Sequence, residues 1–149
     1  MAVKTITQTH LYPAAGVNAA FAYLSDMQLF TRAHPAIYRI APVPGGSPGT
    51  YIFYEKLGMP PLAISFSYAA QVTVNLQTHT VRMYAKVFGM AEIDVSWQAL
   101  PLPGGGTQVT ETLTITAPFP LHIIAANTIK NAHLQMLQNI EKLLAGGGA

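Results

Sequence analysis

Apolar and polar residues alternate along most of the chain, which indicates β-structure interrupted by helical stretches. Residues 3–12 alternate loosely and predict a first strand. From residue 37 to residue 117, clusters of Gly, Pro, Asn and Thr divide the chain into about six further strands. Alternation is clearest at residues 92–98 and 109–116, where apolar and polar side chains face opposite ways. The pattern therefore predicts an antiparallel sheet with one apolar face.

Two short helices are predicted directly after the first strand. Apolar residues recur at three- and four-residue spacing from Val17 to Leu24. Asp26 can cap a second helix, which Pro35 ends at or near His34. This order of strand, two helices and new strand is unusual near an N-terminus.

A long amphipathic helix is predicted at the C-terminal end. It follows Pro118 and Pro120, runs to about Leu144 and has Gly146 as a plausible C-cap. Its apolar stripe consists of Ala126, Ile129, His133, Met136, Leu137, Ile140, Leu143 and Leu144. A helix of this kind must cover the apolar face of the sheet.

Three segments carry a resemblance to a known superfamily: Pro13, the run AFAYLSD at 20–26 and the run HPAIYRI at 34–40. They look like the opening of the START-like polyketide cyclase and lipid-transport (SRPBCC) superfamily. The resemblance implies an α+β helix-grip fold, in which a curved antiparallel sheet of about seven strands wraps around the C-terminal helix. We expect residues 1–149 to form one such domain, with 146–149 a frayed tail.

Members of this superfamily bind lipids, hormones, polyketides or quinone-like molecules in a cavity, and some catalyse cyclisation or ring chemistry. The resemblance also implies that the strand connection at residues 56–62, which carries Met59 between Gly58 and Pro60, forms the cavity mouth. The same loop is equally compatible with a plain turn.

The composition is poor in charge and rich in apolar residues. Charged residues make up 9% of the chain and hydrophobic residues 50%, against about 25% charged in an ordinary domain. This excess is equally compatible with a stable domain that has a Thr, Gln and Asn surface and with an additional apolar cavity or oligomer interface, such as that of a homodimer. The net charge of +2 comes from scattered Lys and Arg, so nucleic acid is not expected as a partner.

Several classes of site are disfavoured by the sequence. The chain has no cysteine, which excludes disulfides and thiolate metal sites. Its five histidines lack paired ligand spacing, and no phosphate-binding or nucleophile motif is present, so we expect neither metal nor cofactor. The charge-free run from 57 to 81 contains prolines and polar residues, so no membrane span is expected, and the N-terminus lacks a signal-peptide core. We expect a cytoplasmic protein.

Two polar side chains occur on stripes that are otherwise apolar. Glu111 interrupts the apolar series of the last strand, and His133 lies within the helical stripe between Ile129 and Leu137. An acid and an imidazole that face one apolar cavity could transfer protons. Each could equally be structural, Glu111 through contact with water near a strand end and His133 as a satisfied core residue.

Aromatic and other apolar residues form the second candidate set, a wall for an apolar ligand. Strand aromatics hold large ligands in many proteins, although they also fill ordinary cores. The candidate ligand-binding residues are Tyr54, Phe66, Tyr68, Met83, Ala85, Trp97, Leu113, Ala126, Ile129, His133, Met136 and Leu137.

Three functions are compatible with these observations. The favoured one is a binder that encloses a lipid, isoprenoid or polyketide-like molecule between sheet and helix, for transport, sequestration or sensing. The second is an aromatase, cyclase or dehydratase that uses Glu111 or His133 for acid–base chemistry. The third is a protein-interaction module with an apolar docking surface.

Overall fold

Seven antiparallel strands and three helices make up the computed structural model of the chain, which describes residues 1–57 and 63–146. In chain order they are β1 (Ala2–Tyr12), α1 (Val17–Ser25), α2 (Met27–Ala33), β2 (Ile37–Pro42), β3 (Thr50–Leu57), β4 (Ile64–Asn75), β5 (Thr80–Val87), β6 (Ala91–Pro101), β7 (Thr107–Ala117) and α3 (Leu121–Ala145).

The strands form one sheet with the order β1-β7-β6-β5-β4-β3-β2. Consecutive strands from β2 to β7 are neighbours, whereas β1 pairs with β7 at the far edge over its whole length, from Ala2 opposite Ala117 to Tyr12 opposite Thr107. A bulge between Ile37 and Arg39 shifts the register of β2 against β3. The two helices α1 and α2 fill the long connection from β1 to β2.

Local chemistry explains where the short helices begin and end. The side chain of Asp26 accepts hydrogen bonds from the backbone N–H groups of Gln28 and Leu29, which are free donors in the first turn of α2. His34 is the C-cap of α2, and Pro35 follows it. The predicted cap at Asp26 and the predicted stop near His34 are both confirmed.

The hairpin between β6 and β7 depends on glycine. Gly104, Gly105 and Gly106 all have φ above +80°, a region that other residues rarely adopt. A Cβ on Gly106 would lie 2.9 Å or less from the carbonyl oxygens of Tyr12 and Pro13. The tight turn therefore lets β7 lie against the end of β1.

The core lies between the concave face of the sheet and the helices. α3 packs chiefly on β1 and β7, α1 on β6, and α2 on β2. In β7, every second residue from Thr107 to Ala117 is buried, which places Glu111 on the concave face. Leu137, Met136 and Ile140 of α3 are at most 1% exposed, so this stripe is the main apolar contact of the helix.

The predicted helix-grip architecture is confirmed in class, in strand number and in the position of both short helices. The helix predicted to end at about Leu144 ends at Ala145, and Gly146 is its C-cap. The expected mouth loop falls largely at residues 58–62 and the expected frayed tail at 147–149, and both lie outside the described residues. Within the described part, no helix is long and apolar enough to cross a bilayer.

Candidate functional site

The space between the sheet and α3 contains two adjoining cavities. The inner chamber, of about 40 Å³, lies under α2 and α3 and has walls from Phe30, Ile37, Phe53, Glu55, Tyr68, Ala70, Met83, Ala85, Ile93, Val95, Trp97, Ile129 and His133. The outer groove, of about 300 Å³, opens between α3 and the β5–β6 hairpin.

Most of the groove lining is apolar. It consists of Glu55, Leu57, Phe66, Val87, Phe88, Met90, Ala91, Ile93, Ile115, Ala117, Pro118, Leu121, Ile124, Ala125, Thr128 and Ile129. Glu55, Ile93 and Ile129 belong to both linings and therefore lie between chamber and groove, and we call these three residues the neck. The chamber has room for about one water molecule or one polar group, whereas the groove lies at the lower end of the range for small-molecule sites.

Glu111 and His133 meet at the side of the chamber. The Nδ1 atom of His133 on α3 is hydrogen-bonded to the Glu111 carboxyl on β7, and both residues are buried. Gln8, directly opposite Glu111 in the β1–β7 ladder, donates its amide N–H to the other carboxyl oxygen. The buried carboxyl is therefore satisfied on both oxygens, which a group 1% exposed requires.

This arrangement orients the His133 ring. In the described residues His133 forms its hydrogen bond through Nδ1, so Nε2 is the nitrogen left to act in the chamber that the ring lines. When the Nδ1 proton is donated to Glu111, a neutral ring presents Nε2 as a proton acceptor. The geometry is that of a base whose tautomer and orientation are set by a carboxylate.

A second imidazole lies beside the first. The Nδ1 atom of His34 accepts hydrogen bonds from the backbone N–H groups of Ala36 and Ile37, at 3.0 and 2.9 Å. Its ring centroid is 5.6 Å from that of His133. Burial, together with the charge of a protonated His133, holds the pKa of His34 well below its ordinary value. His34 is therefore neutral, with its proton on Nε2.

Glu55 and Tyr68 form a second polar pair, on the opposite wall of the chamber. The Tyr68 hydroxyl donates to a carboxyl oxygen of Glu55 across 3.4 Å. Burial raises the pKa of Glu55, while His133 and the Tyr68 hydrogen bond act in the opposite direction. Burial and the adjacent Glu55 carboxylate raise the pKa of Tyr68 well above its ordinary value.

Seven of the sequence-predicted site residues line the cavities, and an eighth lies beside them. Those in contact with the chamber are Tyr68, Met83, Ala85, Trp97, Ile129 and His133, and Phe66 lines the groove. Glu111 lies directly behind His133. The predicted grouping of Glu111 with His133 is thus found in the structure.

The other predicted residues lie elsewhere. Leu113, Ala126, Met136 and Leu137 are at most 1% exposed and belong to the packed core, outside both linings. Tyr54 lies on the outer face of β3, where the Arg39 guanidinium is 4.9 Å from its ring centroid. Because side chains alternate along a strand, the inward positions of β3 are those of Phe53 and Glu55 instead.

Three polar residues of the site were not predicted: Gln8, His34 and Glu55. The Glu55–Phe66 pairing would have placed Glu55 on the same face as Phe66, but that register is known only from the structure. Asp, Glu and His side chains of the described residues form no group of three or more with the geometry of a metal site.

Comparison with solved structures finds the same fold in proteins of very different sequence. The Zhui aromatase/cyclase from a Streptomyces species is 9% identical, with 95% of this chain and 93% of that chain covered and a TM-score of 0.76. A START superfamily protein from Mycobacterium smegmatis is 14% identical, with 93% and 98% covered and a TM-score of 0.69. Norcoclaurine synthase from Thalictrum flavum, in complex with dopamine and hydroxybenzaldehyde, is 12% identical, with 97% and 88% covered and a TM-score of 0.71.

No protein-family model matches the chain, and no curated protein matches it in sequence. The structural likeness nevertheless confirms the START-like helix-grip fold that the opening segments predict. At identities this low, a shared fold does not transfer an activity.

The contact between Glu111 and His133 is expected to stabilise the fold as a pair. We expect a double-mutant cycle of Glu111→Ala, His133→Ala and the double variant to give a coupling energy of about 1–3 kcal/mol in urea unfolding. The exposed pair Arg82–Asp94 on the outer face is the control, with an expected coupling below about 1 kcal/mol. Equal coupling in the two cycles would contradict this description of the buried pair.

His34 is expected to make stability depend on pH. Its pKa is lower in the folded chain, so below about pH 6.5 the unfolded chain binds more protons and the free energy of unfolding falls as pH falls. The decrease for one group is at most about 1.4 kcal/mol per pH unit.

We expect His34→Asn to lose less stability than the parent between about pH 7 and about pH 5. An asparagine side-chain oxygen can accept the same two backbone N–H groups without titrating. The raised pKa of Glu55 increases the free energy of unfolding as pH falls, in the parent and in the variant alike. Its contribution therefore cancels when the two proteins are compared. Parallel stability curves from urea unfolding at each pH would show that His34 is not the titrating group.

Proposed function

We propose that the protein binds a hydrophobic small molecule, of lipid, isoprenoid or polyketide-like chemistry, between the sheet and α3. The observation that carries this proposal is the apolar groove of about 300 Å³, which shares the three neck residues with a chamber that has polar groups. Apolar ligand surface buried in such a groove contributes roughly 25 cal/mol per Å², less the cost of ordering the ligand. The polar groups at the neck and in the chamber would then orient the ligand.

The composition supports this proposal. Half of the residues are hydrophobic, and several large apolar side chains remain exposed at the rim of the groove, namely Phe88, Met90, Leu121 and Ile124. A ligand that fills the groove would cover apolar surface that water otherwise contacts. Two of the structural neighbours, an aromatase/cyclase and a synthase in complex with dopamine and hydroxybenzaldehyde, are compatible with such a ligand.

Binding is tested by filling the cavities with larger side chains. We expect the parent to bind the fluorescent probe N-phenyl-naphthylamine, and Ala125→Phe in the groove to weaken binding at least about tenfold, because the added ring occupies ligand space. Ala85→Phe tests whether the probe also needs the chamber. Ala126 is a poorer choice, since it lies in the core outside both cavities.

The matched control is Ala69→Phe, on the outward-facing side of β4. It should bind the probe as the parent does, and circular dichroism should show all variants folded. Unchanged binding in Ala125→Phe would contradict the groove assignment. A parent that fails to bind the probe and forms concentration-dependent dimers would instead support the interaction-module hypothesis.

A second function, general-base catalysis, is favoured by one specific observation. His133 Nδ1 donates its hydrogen bond to the Glu111 carboxylate, which leaves Nε2 as the acceptor on the chamber wall. A base in this position can remove a proton from a carbon or hydroxyl of a bound molecule, as cyclisation and dehydration require. On this proposal, Glu111 orients the imidazole through the bond to Nδ1.

A nitrobenzisoxazole tests the base without knowledge of the natural substrate. Nε2 would take the ring C–H proton, the electron pair would form the nitrile, and the N–O bond would break to release a coloured phenolate. We expect His133→Ala to lower this rate by about a hundredfold, and Glu111→Gln to lower it less. His10→Ala, which removes another histidine paired with a glutamate but outside both cavities, is the control. Equal rates in all variants would assign His133 a structural role.

A further inference from the structure

Glu55 lies where the two cavities join, and its surroundings differ from those of Glu111. It lines both the chamber and the groove and is only 9% exposed. In the described residues its hydrogen-bond partner is the Tyr68 hydroxyl at 3.4 Å, which is long for an O–H···O contact. By contrast, Glu111 has a partner on each carboxyl oxygen. The carboxyl of Glu55 therefore retains capacity to accept hydrogen bonds.

Positive charge is scarce around this carboxyl. The linings of the chamber and the groove, as far as the described residues form them, include neither lysine nor arginine. Residues 58–62, which follow β3, carry no charged side chain in the sequence. His133 faces Glu55 across the chamber, but its Nδ1 already bonds to Glu111. Among the described residues, the Glu55 carboxyl has the one long hydrogen bond from Tyr68, whereas Gln8 and His133 each bond to one oxygen of Glu111.

The sizes of the two cavities limit which part of a ligand can lie at the neck. The chamber, at about 40 Å³, is too small for the body of a lipid-like molecule, whereas the groove of about 300 Å³ can hold it. With its apolar body in the groove, such a molecule presents its inner end to Glu55. A donor at that end satisfies the carboxyl, whereas a carboxylate there would place two like charges together.

We propose that Glu55 determines the head group of the ligand: the groove accepts amphiphiles whose head donates hydrogen bonds, a hydroxyl or an ammonium, and rejects those with a carboxylate head. The assignment rests on the proposed binding function and names the ligand class of that site. Within that class, the hydroxyl of an alcohol and the ammonium of an amine both offer the donor that Glu55 lacks. Tyr68 already donates to one oxygen of Glu55 from the chamber wall.

Competition against N-phenyl-naphthylamine tests the assignment with three ligands of equal chain length: decanol, decylamine and decanoate, each below its micelle-forming concentration near neutral pH. We expect decanol and decylamine to displace the probe from the parent at concentrations at least about tenfold lower than decanoate. In Glu55→Gln, which keeps the shape but not the charge, we expect the gap between decylamine and decanoate to fall to within about threefold.

Glu92→Gln is the matched control, because Glu92 is an exposed carboxylate near Lys86 on the outer face of the sheet. In this variant, decanol and decylamine should still displace the probe at lower concentrations than decanoate, as in the parent. Decanoate that displaces as well as decylamine from the parent would overturn the assignment without any variant, and an unchanged gap in folded Glu55→Gln would overturn it as well. A parent that binds no probe would overturn the proposed function together with this assignment, so the two failures are distinguishable.

Discussion

The structure depends on one geometric constraint: a single long helix covers part of a concave seven-stranded sheet. α3 packs chiefly on β1 and β7, where its buried stripe meets the alternating apolar residues of the last strand. The inward positions of β3 to β6 receive less cover from the helix, and their side chains become the walls of the chamber and the groove. Where the helix does not cover the apolar face of the sheet, the inward side chains line a cavity instead of packing against the helix. This explains how an excess of hydrophobic residues coexists with a cavity.

The same constraint gives two glutamates of the concave face different environments. Glu111 lies where α3 is close, so His133 from the helix and Gln8 from β1 reach its carboxyl. Glu55 lies at the neck beyond this contact and meets only a distant tyrosine hydroxyl among the described residues. A buried carboxyl that is fully hydrogen-bonded is a structural or positioning group, whereas one with spare acceptor capacity is suited to meet a ligand. The position of each glutamate relative to α3 thus determines whether its carboxyl is fully hydrogen-bonded, as in Glu111, or retains acceptor capacity, as in Glu55.

The sequence was sufficient for the fold and for the grouping of Glu111 with His133, because both follow from local periodicity. Alternation in β7 and the helical stripe of α3 place Glu111 and His133 on facing surfaces without any knowledge of their contacts. Gln8 could not be found in this way, because its role depends on the register of β1 against a strand more than 100 residues later. Glu55 was missed because β3 carries large side chains on both faces, and Tyr54 was chosen on the wrong face for the same reason. From the sequence, His34 was predicted only as the end of a helix. The structure shows that its ring also lies beside that of His133.

The titratable groups of the chamber interact electrostatically, and this interaction relates the two proposed functions to each other. A positive His133 lowers the pKa of Glu55 and that of His34, so a proton on His133 favours an ionised Glu55 on the opposite wall. That proton also supplies a cation to the chamber, which reduces the advantage of a cationic ligand head at the neck. With His133 neutral, the ligand itself must supply the compensating donor, and Nε2 is then free to accept a proton. On the two proposals, the carboxyl that would meet the ligand head and the imidazole that could accept a proton from the ligand line the same chamber, and the charge of a protonated His133 acts on Glu55 across it.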